Sequence, residues 1–176
     1  MACTTSTSNN VVNKPTDNVA IVQPSSTGDT IIKELRDDEL KALQRFAEDY
    51  EPRSGREVIP SPPEPNAQLS EIIAKAQKSG SRVHEKFIIL IFLRLSRFQI
   101  EHFRQRYELG RENPLTQEFY RLIGRNDYAR AEINLTYLAD DYVDKHPELL
   151  SYAPIKAEMR RIEAAGSKLK QELESR

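Results

Sequence analysis

An uninterrupted run of seven apolar residues, Phe87–Leu93, constrains the fold of this chain more than any other feature of its sequence. Burying seven such side chains stabilises a fold by about 10–20 kcal/mol before chain entropy is counted, so a folded chain does not leave them in water. A helix that crosses a membrane needs ~20 predominantly apolar residues, so this run is too short for a membrane anchor. The run therefore predicts a helix that is covered on nearly all sides.

Two kinds of neighbour could cover this helix. A helix in a small bundle usually buries one stripe and exposes the opposite face, but Phe87–Leu93 is apolar all the way round two turns. The chain's own helices could surround it, or one side could contact another protein chain. The two alternatives are compatible, and the sequence leaves the choice open.

Helical spacing of apolar residues dominates the rest of the chain. No segment alternates between apolar and polar residues in the manner of a strand bounded by turn residues. The longest pattern, residues 83–109, corresponds to a helix of ~27 residues and ~40 Å. We therefore predict an all-α fold, a small helical bundle around one long central helix. The helical patterns cover residues 29–50, 67–79, 83–109, 114–123, 128–146 and 154–176, and the first could be one helix or two short ones broken near Asp37 and Asp38.

Composition divides the chain into four segments. Residues 1–28 are rich in Ser, Thr and Asn and contain too little apolar material to offset chain entropy, which predicts a disordered tail. Residues 29–50 form a predicted helical arm. Residues 51–66 contain five prolines and a glycine, which predicts an extended linker. Residues 67–176 make up the predicted helical domain, which closes with a charged C-terminal helix.

Overall charge and cysteine content exclude several classes of protein. The 26 Lys and Arg residues balance 27 acidic residues, so the net charge of −1 gives no general attraction to nucleic acid or acidic lipid. The one cysteine, Cys3, cannot build a disulfide framework or a thiolate zinc site. The N-terminus lacks the basic and apolar regions of a secretory signal. We expect a nuclear or cytoplasmic protein that is neither secreted nor transmembrane.

A local basic patch keeps nucleic-acid binding open as an alternative. Residues 82–130 contain ten Lys and Arg residues against six acidic ones, and aromatic residues lie among them. Such a surface can contact a phosphate backbone, although a solvated or ion-paired face is the more common outcome. The candidate phosphate contacts are Arg94, Arg97, Arg104 and Arg106.

The sequence shows no arrangement of residues for catalysis or metal binding. The histidines His84, His102 and His146 lie far apart and lack metal-ligand spacing. Of Asp140, Asp141 and Asp144, two could share one helical face at i and i+4, but a hard cation needs more oxygen ligands, so we interpret the three as a solvated face. A glycine-rich phosphate loop, a nucleophile elbow and a Cys/His pair are all missing. We predict no enzyme activity, no metal and no cofactor.

The stretch "KFIILIFLRLSRFQIEHF" resembles the long helix of the GINS complex subunits, especially those of the SLD-five type. In that family a basic-aromatic pair, an aliphatic turn, an aromatic-Leu-Arg step and an Ile-acid-x-Phe ending follow in this order. The later stretch "YLADDYVDKHPELL" is similar to a later helix of the family that ends in Lys-His or Lys-Tyr and then a Pro before a small acidic-apolar segment. The matching residues are Lys86, Phe87, Ile88, Ile89, Phe92, Leu93, Arg94, Ile100, Glu101 and Phe103, followed by Leu138, Lys145, His146, Pro147, Glu148 and Leu149.

The resemblance implies a helical domain that assembles with three related subunits into a tetramer, which associates with the MCM helicase ring at eukaryotic replication forks. It implies no catalytic residues. We therefore predict a non-enzymatic assembly subunit whose partners are other protein subunits or further copies of itself; the alternative is a small helical nucleic-acid-packaging or coat protein. The predicted interface residues are Phe87, Ile91, Phe92, Leu95, Phe98, Phe103, Tyr137 and Tyr142.

Overall fold

The computed structural model of the chain describes residues 34–53, 61–103, 109–125 and 134–176, and within these ranges it contains helices and no β-strand. The all-α prediction is confirmed. The predicted tail, residues 1–28, lies outside the described residues. The helices are α1 (Asp37–Asp49), α2 (Ala67–Ser79), α3 (Glu85–Glu101), α4 (Pro114–Leu122), α5 (Asn134–Lys145), a 3-10 helix (Pro147–Ser151) and α6 (Ala153–Glu174).

Short polar residues and glycine set the bounds of the small helices. The side-chain Oδ1 of Asn66 accepts a hydrogen bond from the backbone N–H of Leu69 at 2.9 Å and so begins α2. Asn113 caps α4 in the same way, and Pro114 follows as the first helical residue, as the sequence predicts. Gly80 ends α2 at φ +66°, a conformation that strains any other residue.

Helix α3 is the centre of the bundle. It packs against α1, α4, α5 and α6, and every residue of Phe87–Leu93 is at most 4% exposed. The ring of Phe92 stacks on Phe119 with centroids 3.9 Å apart, and Phe87 meets Tyr152 edge-on at 5.8 Å. The chain's own helices therefore cover the apolar run.

The central helix is shorter than its pattern predicts. It ends at Glu101, and the backbone N–H of His102 closes the last turn on the carbonyl of Phe98 at 2.9 Å. Leu109 is buried but not helical, and residues 104–108 lie outside the described residues. The prediction of a helix over 83–109 is wrong at its C-terminal end, because the helix ends at Glu101 and the buried Leu109 is not helical.

Helix α1 packs on the body of the protein. It contacts α2 and α3, and it buries Leu43 and Ala47 completely. Lys75 of α2 pairs with Glu39 of α1 at 2.6 Å. Of the predicted arm, residues 29–33 lie outside the described residues, residues 34–36 are not helical, and α1 contributes to the core. In the predicted linker, residues 51–53 and 61–66 are non-helical, and residues 54–60 lie outside the described residues.

Helices α3 and α6 run side by side in the same direction. Phe87 lies beside Tyr152 at one end, and further along Arg97 pairs with Glu158. Helix α6 then continues beyond the end of α3 and passes through Gly166 without a break. Among the described residues, no helix has the length and apolarity needed to cross a membrane.

Candidate interaction site

A groove lies where the C-terminal end of α3 meets the last turns of α6. It has a volume of about 840 Å³, and we call it the α3–α6 groove. Ile100 and Phe103 form one apolar wall, and Ala165 and Leu169 of α6 form the other. The groove exists because α6 is longer than its neighbour: where α3 ends, α6 loses the helix that covers its apolar side.

Large apolar side chains remain exposed at this end of the bundle. Phe103 is 43% exposed at the groove, and Leu173, one turn beyond Leu169, is 52% exposed. Charged residues of α6 surround the apolar floor, among them Arg161 and Lys168. An apolar floor with a charged rim is the usual anatomy of a surface that binds another protein.

A buried carboxylate joins α3 to α6 beside the groove. Glu158 is 1% exposed and accepts a hydrogen bond from Nε of Arg97 at 2.5 Å and one from Arg161 at 3.3 Å. Arg97 also bonds Glu101 at 3.0 Å and Glu51 at 3.1 Å. Burial acts to lower the pKa of Arg97, but its hydrogen bonds to Glu158 and Glu101 outweigh it and raise that pKa above its usual value. The charge of Arg97 is thus balanced within the protein.

Arg94 binds the C-terminal end of α1 and is largely shielded from solvent. Its guanidinium donates hydrogen bonds to the backbone carbonyls of Glu48, at 2.7 Å, and Tyr50, at the C-terminal end of α1. Arg94 and Arg97, both predicted phosphate contacts, are instead largely buried and donate to acceptors of the chain itself, although Nε of Arg94 has no hydrogen-bond partner. Arg104 and Arg106 lie outside the described residues.

Most of the predicted interface residues are core residues. Phe103 and Tyr137 are each 43% exposed. Tyr142 is half-buried, and its hydroxyl donates to Glu85 and accepts from Arg82. The other predictions need correction, because α1, α4, α5 and α6 surround α3. The predicted interface residues that the chain itself buries are Phe87, Ile91, Phe92, Leu95 and Phe98.

Asp140 is partly buried, whereas the sequence suggests a solvated face. Its Oδ2 accepts a hydrogen bond from Oγ of the buried Ser96 at 2.8 Å, whereas its buried Oδ1 has no hydrogen-bond partner. Burial, with the nearby charges of Asp144 and Glu158, raises the pKa of Asp140 to about 7, although the bond from Ser96 opposes this. Asp140 thus titrates near neutral pH at the contact between α3 and α5.

A second buried ionic group joins α3 to α4. His84 and Glu118 are fully buried and bonded to each other through Nε2 and Oε1. Arg121 donates two hydrogen bonds to Glu118, at 2.7 and 2.8 Å. Burial acts to raise the pKa of Glu118, but the bonds from Arg121 and His84 lower it. His84 and Glu118 are closed to solvent and link the start of α3 to α4, so their role is structural.

The remaining histidines are also engaged locally. His102 stacks on Phe98, and His146 approaches Glu148 at 3.1 Å. In the described part of the chain, no three His, Cys, Asp or Glu side chains come together as metal ligands.

Sequence reasoning missed the α6 side of the groove. Leu169 and Leu173 were predicted as part of a helical pattern but not as site residues. The signal that could have identified them is their spacing: they continue the line of Ile155 and Ile162, both buried, past the point where α3 ends. Nothing in the sequence marks that point, because the end of α3 depends on how the chain turns after Glu101.

Comparison with known proteins finds no relative of this chain. No protein-family model, no curated protein and no solved structure matches the chain.

Proposed function

We propose that this protein is a non-enzymatic subunit of a multiprotein assembly. The observation that carries the proposal is the α3–α6 groove, where Phe103 and Leu173 present apolar surface beside charged residues. Apolar area of this kind stabilises a complex when a partner removes it from water. The partners are other protein subunits or further copies of the same chain.

The particular assembly that we propose is a GINS-like component of the replicative helicase, acting in the nucleus. Its support is the order of residues shared with the GINS subunits along α3 and α5. The shared pattern ends in Ile100, Glu101 and Phe103, and these three residues also line the groove. A subunit role would use this end of α3 as a contact and would require no catalytic group.

Purification from the protein's own cells tests this function. We expect the tagged full chain to co-purify with other chains. The native mass of the purified complex should exceed the 20.2 kDa of one chain. Nuclease treatment should leave that mass unchanged, since the contact is between proteins. Three distinct associated chains of similar size would support the GINS-like form, whereas recovery of a bare monomer would overturn the proposal.

A matched pair of variants assigns the contact to the groove. Phe103→Asp places a charge on the apolar wall and should release the associated chains. Val83→Asp makes the same change at another exposed apolar side chain, which lies before the N-terminal end of α3, and should retain them. Equal retention by both variants would show that the contact lies elsewhere.

A further inference from the structure

The last turns of α6 carry an apolar line with little of the chain packed on it. Ile155 and Ile162 are buried, Leu169 is half-buried and Leu173 is 52% exposed, so coverage falls steadily along one helix face. Residues 170–176 are all exposed. A helical end with so few tertiary contacts is marginal in water unless another surface packs on it.

We propose that a second copy of this chain covers this line, with the C-terminal ends of the two α6 helices packed antiparallel. The proposal rests on the proposed function, because it names the partner at the α3–α6 groove. Leu173 of each copy enters the groove of the other, between Phe103 and Leu169. The interface is therefore symmetric, with each copy supplying one groove and one leucine.

The shape of each copy favours a second copy over an unrelated chain. The groove is apolar along Ile100, Phe103 and Leu169, and the nearest large exposed apolar side chain on α6 is Leu173, one turn further on. A twofold axis across the end of α6 brings that leucine of each copy to the opposite groove. The leucine and the groove that would receive it lie at the same end of the molecule, as an isologous dimer requires.

The charges of the same segment favour the antiparallel direction. Lys168 and Lys170 occupy one turn, and Glu172 and Glu174 occupy the next. Antiparallel packing brings the lysine turn of one copy beside the glutamate turn of the other, whereas parallel packing would place like charges side by side. Within one copy, Lys168 approaches Glu172 at 4.0 Å and Lys170 approaches Glu174 at 3.8 Å. Both pairs are exposed and long enough to rearrange.

Sedimentation of the purified full chain tests the pairing. We expect a monomer–dimer equilibrium with a dissociation constant below about 100 µM. Leu173→Asp should weaken it at least about 30-fold, because a charge would enter the apolar groove. Leu150→Asp is the matched control: Leu150 is 36% exposed on the 3-10 helix, away from the groove, and its variant should dimerise normally.

Charge reversal tests the direction of packing. A chain with Lys168→Glu and Lys170→Glu, and a second with Glu172→Lys and Glu174→Lys, should each dimerise at least about 10-fold more weakly than wild type. Mixed together, the two chains should form a heterodimer at least as tight as the wild-type pair. If mixing fails to restore pairing, antiparallel packing is refuted.

The outcomes for dimer and function are separable. A chain that stays monomeric alone at about 100 µM, yet is recovered from cells bound to other subunits, overturns the dimer and leaves the proposed function standing. A monomer in both settings overturns both. Because the substituted residues of α6 are exposed, circular dichroism of every variant should differ from the wild type by no more than the last turns of α6, so a loss of pairing reports on the interface itself.

Discussion

At the scale of single residues, buried ionisable groups hold the bundle together. Glu158 and Glu118 are nearly inaccessible to water, and each is held by arginine partners. Breaking such a pair by removing one member leaves a buried charge without compensation, which destabilises a protein strongly. Asp140 differs from both, because none of the Lys and Arg residues that the structure describes pairs with it and Ser96 supplies its hydrogen bond.

Asp140 should make stability depend on pH near neutrality. Its pKa of about 7 in the fold lies above the usual value of 3.8, so the folded state binds its proton more tightly than the unfolded state does. The stability that the protonated Asp140 contributes to the fold is fully present below about pH 4, and it is lost as pH rises toward 7. Asp140→Asn, which cannot ionise, should therefore be more stable than wild type by roughly 2–4 kcal/mol at about pH 8.

The measurement is urea unfolding of both proteins at about pH 5 and pH 8. The excess of the free energy of unfolding of Asp140→Asn over that of the wild type should shrink at the lower pH, where wild-type Asp140 is largely protonated in the folded state. Asp141→Asn is the control, since Asp141 is exposed on the same helix. An advantage of Asp140→Asn that does not change with pH would contradict the assignment.

At the scale of elements, the differences in length between helices create the site. Helix α6 has 22 residues and α3 has 17, and the two run in the same direction. Ion pairs one turn apart, such as Lys168 with Glu172, support the part of α6 that α3 does not cover. Gly166 is the weakest position in this part, since glycine lowers helix stability.

Gly166→Ala should stabilise α6. A Cβ added at this position meets no atom within 4 Å, so alanine introduces no clash and reduces the freedom of the unfolded chain. We expect a gain of about 0.5–1 kcal/mol in chemical unfolding, measured in dilute protein so that association does not contribute. Gly80→Ala is the contrasting control and should destabilise, because φ is +66° there. A loss of stability in Gly166→Ala would show that another surface needs the glycine.

At the scale of the whole molecule, α1 completes the cover of the central helix. The linker separates α1 from α2 in sequence, but the buried Leu43 and Ala47 belong to the same core as α3. Arg94 supports this contact from within α3 by holding the backbone carbonyls at the end of α1. Its position explains why a charged residue directly follows the apolar run.

Arg94→Met should loosen α1 while the rest of the bundle stays folded. The substitution keeps most of the side-chain volume but removes the donors, so the carbonyls of Glu48 and Tyr50 lose charge-assisted hydrogen bonds. We expect a loss of about 1–3 kcal/mol in stability and faster amide hydrogen exchange in α1 than in α5. Arg45→Met, on the exposed side of α1, is the control and should leave exchange unchanged. Unaltered exchange in Arg94→Met would mean that apolar packing alone holds α1.

Much of the fold was predictable from local chemistry. Apolar spacing identified the helices, and Asn66, Gly80, Asn113 and Pro114 set the bounds of α2 and α4 locally, because caps act on the nearest backbone groups. The central position of α3 followed from Phe87–Leu93, since no one-sided contact can bury such a run. Asp140 and Glu158 could not be recognised, because the burial of a carboxylate depends on helices that are distant in sequence.

The sequence by itself determined that the chain is all-α and that Phe87–Leu93 is the spine of the bundle. Only the tertiary structure decided which side chains remain outside. It buried the predicted interface of α3, engaged Arg94 and Arg97 in internal contacts, and left Phe103 and Leu173 exposed at the α3–α6 groove. The physical reason is that helix formation depends on neighbours within about one turn, whereas exposure depends on where helices of unequal length end against one another.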